Sequence, residues 1–399
     1  PGKLYEARLT PNERIRYWIY LQERIGAESL NGVAMSGNFA SSKGLFVIKA
    51  PFDPKNDEPY HEWWVGTKLN TLRKIGIPNY VYTYGGISIC SPPLVVTRDS
   101  QGKEINRNRI LTWCNNQKYA APYLITENIR GGITFAEYVQ KGNFGVFLNG
   151  YLQILLALQN AYQKYNFSHY DLHEKNVLCR EIPVYSPDNP NVPIGIEMFS
   201  IPYPYKDGIL YLSGDFIAVM IDFGYSHIQV DNINYGKFGL EKYGVRADRA
   251  FPLSDAFRFL ASAFAIILKS GKREIIDNII NIVRYFTKEN PWDFLAKMGK
   301  HGYYLPDLPE YVRQDLTGLI DYILVKFKVP FISKTPVGLP VLGCNLTDTE
   351  SCLGTNFNQE GQYVETFLPC ASSEVAFTKQ KEVLREIFSI GSQPTIQDS

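Results

Sequence analysis

The chain has 399 residues, enough for two or three compact units or for one large two-lobed domain. Apolar residues make up 45% of it, the ordinary globular share, while 41 basic side chains face 40 acidic ones for a formal charge of +1. That balance argues against a dedicated binder of nucleic acid or of an anionic membrane surface, whose basic excess would show. The six cysteines (Cys90, Cys114, Cys179, Cys344, Cys352 and Cys370) include no CxxC pair, so structural zinc is not expected and a reducing compartment suits them. The Pro-Gly-Lys opening carries no apolar signal region, and the longest apolar run, 259–268, is ten residues, too short for a bilayer. A cytoplasmic protein is expected, with neither membrane nor nucleic acid as a partner.

Residues 11–25 carry Tyr17, Trp18, Leu21 and Ile25 at helical spacing, which predicts an amphipathic helix and an N-terminal extension over 1–27. Gly32, Gly37 and Gly44 then punctuate the approach to an apolar run, predicting a hairpin that feeds a buried strand ending in Lys49. Prolines at 51, 54 and 59 break the chain before a helix expected over 61–73, and strands are expected over 80–89, 93–97 and 123–129. After Gly131 and Gly132 the pattern turns helical. Val146, Leu148, Leu152, Leu155, Leu158 and Tyr162 mark a long helix with a core-facing side, and 256–269, 274–286 and 311–327 read the same way. Between them, 183–214 is rich in Pro, Tyr and Asn and reads as an insert. The tail from 333 onward offers one short helix, at 379–388.

The chemistry lies in Ser168-His-Tyr-Asp-Leu-His-Glu-Lys-Asn-Val-Leu178 and in Val219-Met-Ile-Asp-Phe-Gly224. Phosphoryl transfer asks the protein mainly for positioned charge. One carboxylate must orient the attacking hydroxyl and take its proton, and further oxygen ligands must hold Mg²⁺ against the phosphates of ATP. Asp171 and Asn176, five apart across a tight loop, fit the catalytic D-x-x-x-x-N pattern, and Asp222 fits the metal-binding Asp of D-F-G. An Asp-Phe-Gly alone arises by chance roughly once in twenty chains of this length. Both signatures, in this order and each beside an apolar strand, are much harder to obtain by accident. Lys49 closes an apolar strand as a phosphate-binding lysine does, and Glu62, thirteen residues on, can pair with it.

With those residues in place, the segment Tyr123-Leu-Ile-Thr-Glu-Asn-Ile-Arg-Gly-Gly132 resembles the strand, gatekeeper and hinge of eukaryotic-type protein kinases. The resemblance implies that Thr126 is the gatekeeper and that Glu127 and Ile129 present backbone groups to adenine. Asp255, in Leu253-Ser-Asp-Ala-Phe257, resembles the aspartate that anchors the catalytic loop from a central helix. The wording around 61–66, 77–80, 169–173 and 251–255 is similar to the serine/threonine protein kinases of large nucleocytoplasmic DNA viruses. The resemblance covers about 28–330. It implies an α+β, bilobal protein-kinase-like fold: a β-rich N-lobe over 28–129 and a mainly helical C-lobe over 130–332, carrying the insert and followed by the tail.

This sequence departs from the kinase pattern at several points. Gly32 and Gly37, the candidates for covering the phosphates, do not spell G-x-G-x-x-G. Tyr170 stands where many kinases carry Arg before the catalytic Asp, and no Ala-Pro-Glu follows Asp222, Glu241 being the nearest candidate for its glutamate. Forty-six residues separate Asn176 from Asp222, so the insert is expected as a lobe or flap near the mouth of the site. His173 replaces the usual Lys, with Lys175 the candidate replacement cation near the γ-phosphate. The expected function is transfer of the γ-phosphate of ATP to Ser/Thr hydroxyls of a protein substrate, in a host cytoplasm or virion if viral. Asp171 is the base, and Asn176 and Asp222 hold Mg. The alternatives are a small-molecule kinase of the aminoglycoside type, which shares the His-x-Asp-x-His-x-x-Asn spelling, and a pseudokinase scaffold.

Overall fold

Side chains that alternate between the two faces of Phe-Val-Ile-Lys-Ala-Pro bury Phe46, Ile48 and Ala50 and leave Lys49 half-buried on the opposite face. The computed structural model describes residues 19–25, 32–39, 46–51, 58–90, 96–98, 104–107, 120–129, 132–186, 189–196, 198–305 and 316–329. In chain order its N-terminal lobe holds β1 (Ile19–Ile25), β2 (Gly32–Phe39), β3 (Phe46–Pro51), helix α1 (Glu58–Leu69), β4 (Thr83–Cys90), β5 (Val96–Arg98), β6 (Glu104–Arg107) and β7 (Ala120–Glu127). Five strands pair antiparallel in the order β1-β2-β3-β7-β4, and β5 and β6 form a separate hairpin. Helix α1 lies on this sheet at close range because residue 66 is glycine: a Cβ there would sit 2.1 Å from Thr83 Oγ1. One turn earlier on the same helix, Glu62 is buried.

The C-terminal lobe is mainly helical. It holds β8 (Ile133–Thr134), α2 (Phe135–Lys141), α3 (Phe144–Tyr165), β9 (Val177–Glu181), β10 (Pro183–Ser186), β11 (Asn189–Ile196), β12 (Phe199–Tyr205), β13 (Gly208–Gly214), β14 (Phe216–Met220), β15 (Ile228–Val230), β16 (Ile233–Tyr235), α4 (Pro252–Ser270), α5 (Arg273–Val283), α6 (Pro291–Gly299) and α7 (Leu316–Lys326). Helix α2 starts on a Thr134–Glu137 capping box and α3 on the Asn143 side chain, so both N-termini are fixed by the sequence. Residues 151–161 of α3 are buried all round, which makes this helix the axis of the lobe. The architecture is the bilobal α+β arrangement expected from the sequence. Among the described residues, no helix is long and apolar enough to cross a membrane.

Two expectations are corrected. Residues 19–25 form β1 rather than the end of a helix, and they belong to the N-lobe sheet rather than to an extension ending at 27. Glu23 and Arg24 interrupt the apolar alternation along the chain, so Leu21 and Ile25, four apart, fit helical spacing as well as a strand. The second half of the insert is not a flap at the mouth of the site. This hairpin, β12 with β13, buries Phe199, Ile201, Tyr203, Leu210 and Leu212 and packs on α3. Tyr205 and Lys206 at its tip bond Asp321 of α7. The helix expected at 379–388 falls outside the described residues.

The lobes are joined by the segment between α1 and β4. Val81 N–H donates to Met220 O (3.0 Å) and Met220 N–H to Asn79 O (2.7 Å), so an N-lobe segment pairs with a C-lobe strand. The buried Asn79 side chain donates to Ala218 O (2.8 Å) and accepts from Tyr203 O–H (2.8 Å), which ties the insert to the same junction. Tyr203→Phe would leave a buried amide oxygen without that donor, at a cost of about 1–3 kcal/mol. The expected outcome in urea unfolding is a lower midpoint at unchanged slope. An unchanged midpoint would show that the insert is not coupled to the junction.

Candidate active site

Helix α4 presents Asp255, Arg258 and Ser262 at spacings of three and four, hence on one face. That face meets the loop after α3 at successive points. The buried Asp255 carboxylate accepts the N–H groups of His169 and Tyr170, each at 2.7 Å. Arg258 donates to Tyr170 O (2.8 Å) and to Asp171 Oδ1 (2.7 Å), and Ser262 Oγ accepts Glu174 N–H (3.3 Å). Burial pushes Asp255 up to about 7, against the pull of the two N–H groups and Arg258. Tyr170 has φ 59°, in the left-handed region, and is held there at its N–H, its carbonyl and its hydroxyl, which donates to Arg249 O at 2.6 Å.

Asp171 leaves this loop half-buried. Asn176 donates to its carbonyl (2.9 Å) and approaches its Oδ2 (3.4 Å). Asn176 O in turn accepts Ile221 N–H (3.0 Å), which sets Asp222 beside it in the chain that follows. Phe223 is buried against His169, Tyr80 and Phe167 at ring separations of 5.7, 6.2 and 6.4 Å. Asp222 itself has φ 66° and turns the other way, toward Lys49.

Lys49 Nζ lies 2.6 Å from Asp222 Oδ1, 2.8 Å from Glu62 Oε2 and 3.9 Å from Glu58 Oε1. Burial disfavours the ammonium, but Asp222 and Glu62 outweigh it and raise the Lys49 pKa above its ordinary value. Burial, with Asp222 and Glu58 beside it, pushes Glu62 up to about 7 in spite of Lys49. Burial also opposes the charge on Asp222, yet Lys49 brings its pKa below the usual carboxylate range. Oxygens of Glu58, Glu62 and Asp222 lie within 4.8 Å of one another around a single ammonium, so the cluster is rich in acceptors and fits an added cation.

The structure therefore brings together Lys49, Glu62, Asp222, Asp171 and Asn176. The other candidates sit differently. Lys175 is exposed, and among the described residues no ion pair involves it. Gly32 and Gly37 lie within β2, where a Cβ would meet Ala50 O or the Phe46 ring at 2.3 Å; they let β2 pack against β3 and do not form a loop. Thr126 sits in β7 between Val47 and Thr83 of its neighbours. The Glu127 N–H is committed to Tyr82 O (2.8 Å), and Ile129 O accepts Gly132 N–H (3.0 Å). Glu241 is exposed, and its carboxylate accepts the local Gly239 N–H (3.1 Å).

No family model matches the chain. A probable kinase of Invertebrate iridescent virus 3 is 22% identical over 289 residues, 72% of this chain and 47% of that protein, so the chain spans about half the relative's length. The similarity to that probable kinase thus runs over most of this chain. The crystal structure of a kinase domain aligns with 63% of this chain and 62% of its own at 13% identity and a TM-score of 0.32.

Sequence reasoning missed three charged side chains around this site: Glu58, Arg258 and Arg73. It also assigned Glu127 only a backbone role. Its buried carboxylate takes Arg73 (2.5 Å) from the segment after α1, Arg180 (2.8 Å) from β9 and the Tyr82 N–H (2.7 Å). Residues from both lobes thus meet on one hinge side chain. Burial alone would raise the Glu127 pKa, but Arg180 and Arg73 hold it down at about 2. A folded pKa below the unfolded one stabilises above about pH 4.5 and is lost as pH falls toward 2. Glu127→Gln leaves the buried Arg73 and the partly buried Arg180 without their carboxylate, at a cost of about 3–5 kcal/mol near neutrality. The stability gap between parent and variant, measured by denaturant titration across pH, is expected to narrow from pH 5 downward. A gap independent of pH would contradict the clamp.

Proposed function

We propose that the chain is an ATP-dependent protein kinase acting on Ser/Thr hydroxyls. The observation that carries this reading is the Lys49 ammonium, bonded at once to Glu62 of α1 and to Asp222 of the second motif. That arrangement presents one fixed positive charge to the phosphates of ATP, beside a carboxylate–amide pair made by Asp171 and Asn176. In the reaction, the acceptor hydroxyl oxygen bonds to the γ-phosphorus as the bond to the β,γ-bridging oxygen breaks. Asp171 orients the hydroxyl and receives its proton, and ADP leaves. Asp222 and Asn176 would hold Mg²⁺, which supplies neutralising charge to the phosphate oxygens when bound. The iridovirus relative supports the kinase reading and a viral source, with protein substrates met in the host cytoplasm. The spelling His169-Tyr-Asp-Leu-His173 favours a second reading, a small-molecule acceptor. Incubating the chain with labelled Mg·ATP and either casein or an aminoglycoside separates the two.

Asp171→Asn is expected to lower transfer by about 10²-fold or more while leaving ATP affinity within a few-fold, since the carboxylate serves the acceptor. Asp222→Asn should instead weaken binding of Mg·ATP. Equal loss of nucleotide in both variants, or an active Asp171→Asn protein, would remove the assigned roles.

Activity should also appear without phosphate on the segment 225–250. An arginine before the catalytic Asp needs an anion to settle it, but the uncharged Tyr170 is already fixed to Arg249 O by its hydroxyl. Bacterially expressed protein, stripped with a broad phosphatase, is expected to show a linear initial rate. A lag abolished by preincubation with ATP, traced to a phosphate in that segment, would overturn this.

A further inference from the structure

The base of the proposed reaction has a permanent cation on one of its two oxygens, and that cation comes from a helix far along the chain. Arg258 Nη2 lies 2.7 Å from Asp171 Oδ1, and the pair is largely withdrawn from water, with side-chain exposures of 14% and 24%. The other candidates for a cation at Asp171 do not reach it. His173 Nε2 stands 3.9 Å from Oδ2, beyond hydrogen-bond distance, and Lys175 is exposed. The guanidinium is itself fixed. Its Nη1 donates to Tyr170 O, and its Cζ lies 4.4 Å from the centre of the Tyr304 ring, within cation–π range. Three different contacts on one planar group leave it little freedom to turn.

We propose that Arg258 is a positioning residue for phosphoryl transfer. It holds Asp171 Oδ1 so that Oδ2, beside Asn176, is the oxygen that meets the acceptor hydroxyl and takes its proton. This rests on the kinase reading above and adds no step to the reaction. It assigns the orientation of the base to the α4 stripe, where Asp255 fixes the loop backbone and Arg258, one turn on, fixes the carboxylate. A carboxylate free to rotate about its side-chain bonds would present either oxygen, and a small misplacement of a reacting group costs rate steeply.

The rival role is structural, through the bond to Tyr170 O alone. Rates of ADP formation from Mg·ATP, with water or casein as acceptor, decide between them in a cycle of Arg258→Met, Asp171→Asn and the double variant. Arg258→Met is expected to lose about 10²-fold in kcat with KM for ATP changed less than a few-fold. The double variant should be no slower than Asp171→Asn, because a group that acts through Asp171 has nothing to orient once the base is gone. Arg258→Lys keeps the charge without the planar fork and should recover part of the loss, and it serves as the test if Arg258→Met does not give a folded protein by its thermal melt. Losses that multiply in the double variant, or an Arg258→Met or Arg258→Lys protein with parental kcat, would overturn the proposal while leaving the kinase reading intact. A parent chain that forms no ADP would overturn the kinase reading and this inference with it.

Discussion

The loop that carries Asp171 depends on one buried carboxylate. Asp255 takes two consecutive backbone N–H groups, those of His169 and Tyr170, inside the C-lobe, where an unpaired amide or an unpaired carboxylate would each be costly. Because both oxygens are used, neither the loop nor the helix can shift without breaking two bonds together. Everything downstream inherits that constraint: the left-handed backbone at Tyr170, the emergence of Asp171 from the loop, and the anchorage of the 249 segment on the Tyr170 hydroxyl. Buried charge serves geometry here, since hydrophobic packing has no direction and could not fix two peptide planes.

A second rigid unit is built on the opposite side of the cleft. Gly66 brings α1 against β4, which carries Glu62 to Lys49, and Asp222 completes the pair from the C-lobe. The ammonium therefore bridges lobes that are otherwise joined through the 79–81 segment and the Glu127 clamp. Asp222 and Tyr170 are both non-glycine residues at positive φ, a conformation that costs about 1–3 kcal/mol and persists only when neighbours over-determine it. Both positions flank the proposed chemistry: Tyr170 is held at its N–H, its carbonyl and its hydroxyl, and Asp222 by the Lys49 ammonium.

Much of this arrangement was legible in the amino-acid sequence. The two motifs lie in local segments whose spacing survives folding unchanged, so Asp171, Asn176 and Asp222 could be picked out by distance along the chain. The helices of the C-lobe were legible for a similar reason: a 3.6-residue apolar period is a local property, and caps such as Thr134 and Asn143 mark the starts of α2 and α3. Strand β1 was not, because Glu23 and Arg24 interrupt the apolar alternation that would have identified it.

What the sequence by itself determined is therefore the set of groups and the order of elements, both written in short-range spacing. Only the tertiary structure decided which charges meet. Arg258 stands eighty-seven residues from Asp171, and Glu127 lies more than fifty from each of its arginine partners, so no periodicity relates them. The insert likewise carries no local sign of its docking face. The place of its second hairpin against α3 follows from the Tyr203–Asn79 bond and from the apolar side chains buried there. Ion pairs and docking faces are decided by which surfaces folding brings together, and a linear pattern of residue types does not encode that distance.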